Sequence, residues 1–181
     1  MASEFSYELR VPKDRVAVII GQNGAMKMRI ERATNTNLSI DSNEGLVEIT
    51  GSDALGLYTT REIVRAIGRG FNPDIALLLL KQDYGFELVP ITNYAKTPDD
   101  ALRLKGRVIG EGGKSRRTIE ELTSCSLCVY GKTVAIIGEF EGLTSARRAV
   151  ESLLAGSPHA AVYKSLERRR KEIKRRELIG E

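Results

Sequence analysis

The sequence repeats one pattern of residues at an offset of 89, which is the distance from Gly21 to Gly110. Each of these glycines opens a GxxG loop, GQNG at 21–24 and GEGG at 110–113, directly after two branched apolar residues. A fixed offset indicates two copies of one structural unit, and this duplication limits the possible folds more than composition does. Further matches at the same offset are Ile30-Glu31 with Ile119-Glu120, Thr34 with Thr123, Leu38 with Leu127, and Ile40 with Val129.

Hydrophobic periodicity and turn residues predict the order β-α-α-β-β-α in each copy, and hence an α+β fold. Proline opens the first helix of each copy, glycine ends it, and Ser52 or Asp53 can cap the third helix of the first copy. The first copy is predicted as strand 5–11, helices 13–20 and 25–33, strands 38–40 and 46–50, and a helix to residue 68. The second copy is predicted as strand 86–91, helices 98–108 and 114–123, strands 127–130 and 133–137, and helix 143–154.

The duplication predicts two domains, one over residues 4–70 and one over residues 86–157. A helical linker over 71–85, with its helix at 73–81, is expected to join them. A basic helix is expected over 158–181, with its regular part at 160–178. Seven cations lie between residues 168 and 176, interleaved with glutamates. Such a run is most simply a solvated helix, and the alternative is an arm that grips phosphate.

Length and apolar content allow a buried core but no membrane span. The chain has 181 residues and 41% hydrophobic residues, while its longest apolar run, at 75–80, is far short of the roughly 20 residues needed to cross a bilayer. The N-terminus lacks a basic segment followed by an apolar one, so we expect a cytoplasmic protein. The formal net charge of +4 is compatible with an anionic partner.

Metal, cofactor and catalytic chemistry have little support in the sequence. Cys125 and Cys128 form a lone CxxC pair, and His159 is the only histidine, so a zinc site lacks its remaining ligands. The paired carboxylates at 99–100 and 120–121 have the positions of helix-start and helix-surface charges. We therefore predict neither metal nor cofactor, and no enzyme activity.

The GxxG loops have the physical properties of an anion site. Glycine permits a positive φ and leaves no Cβ in the way, and the following helix directs its N-terminal N–H groups at the same place. The nucleotide P-loop pattern fails at Val108, where it requires glycine, and the dinucleotide pattern fails at Ser115. A turn between two helices remains, of the kind that clamps about four nucleotides of single-stranded nucleic acid.

The second loop is predicted to be the main RNA clamp because more cations surround it. Residues 110–113 are expected to hold the backbone, Lys114 and Arg117 to pair with phosphate, and Ile109 and Val129 to floor a groove under the bases. The predicted RNA-binding residues are Arg107, Ile109, Gly110, Glu111, Gly112, Gly113, Lys114, Arg116, Arg117 and Val129. A secondary site is predicted at Gly21, Gln22, Asn23, Gly24 and Lys27. Val108 and Leu127 are expected in the core instead.

The stretches RVIGEGGKSRRTIEELT and VIIGQNGAMKMRIE resemble the signature of type I KH domains. Together with AIGRGFNPDIALLLL, VYGKTVAIIGE and SPHAAVYKSLERRRKEI, they resemble the archaeal tandem-KH family of small-subunit ribosome assembly, the counterpart of the eukaryotic partner-of-Nob family. The resemblance covers nearly the whole chain. It implies binding of single-stranded RNA near the 3′ end of small-subunit rRNA, beside a PIN-domain rRNA endonuclease, and contact with the α subunit of archaeal initiation factor two.

One other class of function fits the same residues. A protein-protein adaptor in ribosome assembly would retain the duplicated fold while its GxxG loops were vestigial. RNA binding that depends on salt and on Gly112 distinguishes the clamp from the adaptor.

Overall fold

The computed structural model describes residues 5–180, so the predicted domain start at residue 4 and helix end at residue 181 lie outside it. The chain divides into two compact units, one ending at Tyr84 and the other beginning at Gly85. Each has its own three-stranded sheet with helices packed against it. The predicted α+β class and the predicted element order are both confirmed.

The first unit begins with an edge strand and closes with a long helix. Its sheet has the order β1-β3-β2, and both pairings are antiparallel. Asp53 is the cap of the third helix, because its carboxylate accepts from the N–H groups of Leu55 and Gly56. The elements are β1 Phe5–Arg10, α1 Lys13–Ile20, α2 Ala25–Thr34, β2 Asn37–Asp41, β3 Leu46–Gly51 and α3 Ala54–Gly68.

The second unit repeats this architecture with the sheet order β4-β6-β5. Thr97 caps its first helix by accepting from the Asp100 N–H, and Pro98 occupies the first helical turn. Its elements are β4 Tyr84–Pro90, α5 Pro98–Ile109, α6 Lys114–Thr123, β5 Ser126–Tyr130, β6 Thr133–Glu139, α7 Phe140–Leu154 and α8 His159–Ile179.

The predicted helix over 73–81 is wrong as a single element. Asn72 caps a four-residue helix, α4 Pro73–Ala76, and Leu77–Leu80 then form a 3-10 turn. The helix tightens because Lys81 adopts an extended conformation, which directs the chain toward β4, and its N–H bonds three residues back to the Leu78 carbonyl. The predicted strand over 86–91 is displaced along the chain. The strand begins two residues earlier, at Tyr84, and ends at Pro90, because the buried Ile91 starts a 3-10 turn.

The structural repeat extends beyond the six predicted elements. Helix α4 packs against α3 in the first unit, just as α8 packs against α7 in the second. The two helices begin at corresponding distances after the preceding helix, because four residues separate the end of α3 from Pro73 and four separate the end of α7 from His159. The segment predicted only as a linker is therefore also the first unit's shortened counterpart of the C-terminal helix.

Helix α8 is anchored at one end and exposed at the other. Val162 and Leu166 are buried in the second core, against α6 and α7. Between residues 168 and 180 only Arg169 and Ile173 are partly covered. The exposed half is the segment that carries the seven cations.

Candidate nucleic-acid interface

The two GxxG loops have nearly the same backbone conformation. The first glycine has φ and ψ of 71° and 177° in Gly21, and of 73° and 171° in Gly110. The last glycine is left-handed in both loops, with φ of 77° in Gly24 and in Gly113. Each loop therefore turns the chain from one helix into the next along the same path.

The first and last glycines of a loop have different roles. A Cβ added at Gly110 would lie 2.7 Å from the Ser115 Cβ, and its φ and ψ belong to a region that only glycine populates readily. A Cβ at Gly113 would meet only the mobile end of Arg117, at 3.4 Å. The first glycine is thus required by the protein itself, whereas the last one leaves an open surface.

The start of α6 adds positive charge to this open surface. Lys114 and Arg117 lie one turn apart and both are exposed, and neither side chain has an ion-pair or hydrogen-bond partner within residues 5–180. The Lys114 N–H bonds to the Glu111 carbonyl, but no side chain of the described chain caps the helix, so the N–H groups that follow in its first turn have no side-chain acceptor. Backbone donors, the helix dipole and two cations therefore face the same place.

Two of the predicted cations are engaged elsewhere. The Arg107 guanidinium donates to the carbonyl oxygens of Leu153, at 3.0 Å, and Ser157, at 2.7 Å, and so fastens the end of α7. Arg116 lies 3.8 Å from Glu120 on its own helix. Their contact with RNA stays a prediction, and the structure gives Arg107 a structural role that the sequence did not indicate.

The first unit contains the same fastening with a different arginine. Arg15 donates to the carbonyls of Ile67 and Phe71, both at 2.8 Å, at the end of α3. At the offset of 89, Arg15 corresponds to Leu104, so Arg107 lies about one helical turn later in its own unit. The two arginines nevertheless reach equivalent carbonyls.

Glutamates fix the edge strands beside both loops. Glu31 accepts from the Leu38 N–H, and Glu120 accepts from the Leu127 N–H, each at 2.8 Å. These bonds hold β2 and β5 against the second helix of each unit. The matching Ile-Glu pairs in the sequence are the signal that could have revealed them.

Of the four apolar residues predicted around the loop, two are buried in the core and two remain partly accessible. Val108 is fully buried and Leu127 is 3% exposed, which confirms their assignment to the core. Ile109 is 37% exposed, and Val129 on the edge strand β5 is half-buried. The structure thus leaves Ile109 and Val129 accessible beside the loop, whose Glu111 is also exposed.

The first loop presents a different surface on the same backbone. Gln22 and Asn23 are exposed, and Ala25 and Met28 occupy the positions of Lys114 and Arg117. Lys27 lies 3.9 Å from Glu31, so its charge is partly neutralised. The predicted secondary residues are therefore together in space but carry little free charge.

Residues 5–180 contain no group of three His, Cys, Asp or Glu side chains that could hold a metal ion. Cys125 and Cys128 form no disulfide within residues 5–180, and the His159 ring bonds to the Arg107 carbonyl at 2.8 Å. Hydrogen bonds from Arg103 and from the Lys96 N–H lower the pKa of Asp100, as expected of a carboxylate at a helix start.

Across residues 5–180, no helix combines the length and the apolar character that a transmembrane helix requires.

Family models match both units. The family described as the eukaryotic type KH domain, type I, matches residues 85–171, and the KH domain family matches residues 6–65. A KH domain-containing protein of Methanocaldococcus jannaschii is 52% identical over 171 residues, which cover 92% of this chain and 75% of that protein. The Drosophila melanogaster RNA-binding protein pno1 is 36% identical over 117 residues, which are 63% of this chain and 48% of the fly protein.

Solved structures show the same relationship. The chain superposes with a TM-score of 0.88 and 43% identity on a chain from the a/eIF2alpha-aDim2p-rRNA complex of Pyrococcus horikoshii. This match covers 93% of our chain and 96% of the other. Two KH domains in tandem, the archaeal relatives and the pno1 relationship together place the chain in the archaeal PNO1/Dim2-like family of KH-domain proteins.

Proposed function

We propose that this protein binds single-stranded RNA through the loop at 110–113 and acts in assembly of the small ribosomal subunit. The observation that carries the proposal is the open surface at Gly113, next to the unpaired charges of Lys114 and Arg117. KH domains clamp about four nucleotides of single-stranded RNA at such a loop. Membership of the family supports ribosome assembly as the setting.

The geometry supports a division of labour between backbone and groove. A sugar-phosphate strand passes over Gly113, where phosphate oxygens accept from the first N–H groups of α6 and pair with Lys114 and Arg117. The bases then lie over Ile109 and Val129. Their Watson–Crick edges are read by polar groups at the groove rim, because unstacked bases expose those edges.

Partners follow from the relatives. The related Pyrococcus horikoshii protein forms a complex with rRNA and a/eIF2alpha. We infer that this chain binds the 3′ region of small-subunit rRNA and the α subunit of initiation factor two in the cytoplasm. A PIN-domain endonuclease supplies the cleavage, and the present chain acts by binding and positioning RNA.

Substitution of the last glycine in each loop tests the proposal. Gly113→Asp places a carboxylate where phosphate should lie, without a steric clash at the Cβ, and should weaken RNA binding about 10-fold to 100-fold through the loss of charge-assisted hydrogen bonds. Gly24→Asp introduces the same carboxylate at the same backbone conformation and should have a much smaller effect. Filter binding with single-stranded RNA measures both variants.

The outcome separates the alternatives. Comparable losses in the two variants would refute the ranking of the loops. Unchanged RNA affinity in both variants, with retained binding to the initiation-factor subunit, would favour a protein-protein adaptor.

A further inference from the structure

The exposed half of α8 concentrates unpaired positive charge on one side. Lys164, Arg168, Lys171 and Arg175 follow the spacing of four, three and four residues that places side chains on one helix face. We call these four residues the basic face. All four are exposed, and the described part of the chain provides no ion-pair partner for any of them. They extend about 16 Å along the helix axis.

The acidic residues around α8 neutralise the charge of Arg169 more than the charges of the basic face. Arg169 lies on the packing side, 3.5 Å from Glu141 and 3.6 Å from Glu172. Glu167, four residues before Lys171, and Glu172, four residues after Arg168, flank the face on its two sides. The glutamates therefore leave a net positive stripe, which the even interleaving of the sequence had concealed.

A groove beside α8 extends the basic face onto α7. It has a volume of about 370 Å³, and its polar lining is Arg148 from α7, three residues of α8 and three serines, over a floor of Ala149, Val162 and Leu166. The three residues of α8 are Arg168, Arg169 and Glu172. Those serines are Ser145, Ser152 and Ser165. Arginines and hydroxyl groups are the side chains that bind phosphate oxygens in nucleic-acid complexes.

The basic half of α8 and the clamp lie at opposite ends of one helix. Helix α6 starts at Lys114 in the clamp, and residues 122–124 at its other end share a pocket with Arg170 and Lys174 of α8. Ten residues of helix separate the two ends by about 15 Å. At about 3.4 Å per stacked nucleotide, a strand leaving the clamp covers that distance in roughly five nucleotides.

On these observations we propose that the basic face, together with Arg148, binds the phosphates of RNA beyond the four nucleotides held in the clamp. The inference rests on the proposed function and adds a second contact region for the same strand. RNA fits better than an acidic protein because the face has no apolar anchor. The exposed large hydrophobic residues of α8 are Leu178 and Ile179, at its end, whereas protein interfaces depend on buried apolar or aromatic contacts.

Two double variants with equal loss of charge test this proposal. Arg168→Gln/Lys171→Gln removes two charges from the basic face, and Arg170→Gln/Arg176→Gln removes two exposed charges from the sides of the helix away from that face. Glutamine has a helix propensity close to that of lysine and arginine, so both variants should keep wild-type circular dichroism. Affinity is measured against salt concentration for single-stranded RNAs of about 5 and about 15 nucleotides, the shorter of which fills the clamp alone.

The basic-face variant should lower the salt slope for the long RNA by about 1.4, or about 0.7 for each lost phosphate contact. Its slope for the short RNA should match the wild type, and the control variant should match the wild type on both RNAs.

Each other outcome overturns the inference in a distinguishable way. Equal slope losses in the two variants would indicate a general field of positive charge, and no loss in either would leave the helix merely solvated. A labelled glutamate-rich peptide that binds wild type but not the basic-face variant, with the RNA slope unchanged, would assign the face to an acidic protein. Failure of the short RNA to bind wild type would refute the clamp itself.

Discussion

The two GxxG loops share a backbone but differ in almost every side chain around it. Gly110 and Gly21 have φ values within a few degrees of each other, and so do Gly113 and Gly24. The second loop presents free cations, whereas the first presents amides, alanine and methionine. The comparison teaches that glycine geometry is kept in both KH units while the charge on the first turn of the next helix is not, and we propose that this charge sets how strongly each loop attracts RNA.

The middle of the loop supports the same conclusion. Asn23 adopts a left-handed φ of 53°, where the second loop has Gly112 at 57°. Asparagine tolerates this conformation because its short polar side chain bonds locally. Of the three glycines in GEGG, Gly112 is therefore replaceable without a change of backbone.

The largest expected effect comes from a substitution that disrupts the backbone conformation shared by the two loops. Gly110→Ala should destabilise the protein by about 2 to 4 kcal/mol, because it combines a glycine-only conformation with a clash against the start of α6. Urea unfolding of the full chain measures the loss. Gly112→Asn is the matched control and should change stability by less than about 0.5 kcal/mol, since Asn23 already has this conformation. Similar losses in both variants would contradict the assignment of roles within the loop.

Exchanging the first-turn residues should transfer RNA affinity between the loops. Lys114→Ala/Arg117→Met gives the second loop the residues of the first, and should reduce the salt slope by about 1.4 for two lost phosphate contacts. Ala25→Lys/Met28→Arg makes the reverse change, and should raise the slope if the first loop can accept a strand. Binding titrations over a series of salt concentrations measure both.

The reverse change also tests whether the first loop is accessible. An unchanged slope in Ala25→Lys/Met28→Arg, together with the expected loss in the other variant, would mean that charge is not what limits the first loop.

A buried hydroxyl cluster distinguishes the two cores. The hydroxyl groups of Thr34, Thr36 and Thr60 lie 2.7 to 2.9 Å apart in the first unit. The corresponding places in the second unit hold Thr123, Cys125 and Ala146. The same fold thus packs one core through hydrogen bonds and the other through a thiol and a methyl group.

Removal of one hydroxyl should therefore affect the first unit. Thr60→Val keeps the shape but leaves Thr36 with one hydroxyl partner fewer, and should cost about 1 to 2 kcal/mol in unfolding free energy. Thr59→Val removes an exposed hydroxyl that bonds only to the Leu55 carbonyl, and serves as the control. Equal effects of the two changes would show that the cluster does not stabilise the core.

The sequence predicted what local patterns determine. Helix α6 has the predicted bounds, and α1 begins after Pro12 and ends before Gly21 as predicted, because capping and glycine signals are local. Hydrogen bonds between residues that are far apart in the sequence have no such local signal. Arg107 reaches carbonyls that lie 46 and 50 residues away, and the threonine cluster joins residues 24 and 26 apart.

Sequence spacing also concealed features that depend on three dimensions. The relation of α4 to α8 could not be recognised, because α4 is only four residues long and too short to show a period. The basic face of α8 was hidden because charges that alternate along the chain separate onto different sides of a helix. The loop at 110–113 was predictable because its glycines are contiguous in sequence.

The smallest expected effect concerns Cys125, which stands where the first unit has Thr36. Burial raises the pKa of the Cys125 thiol from 9.0 to about 11, although a hydrogen bond with the Thr123 side chain acts in the opposite direction. Between these values the thiol stays protonated in the folded chain and ionises in the unfolded chain. The unfolded state then binds fewer protons, so stability should fall as pH rises through this window. Urea unfolding midpoints are measured at about pH 8 and about pH 10.5. The difference between the two midpoints should be larger in wild type than in Cys125→Ala. Equal differences would mean that the second core does not hold this thiol away from water.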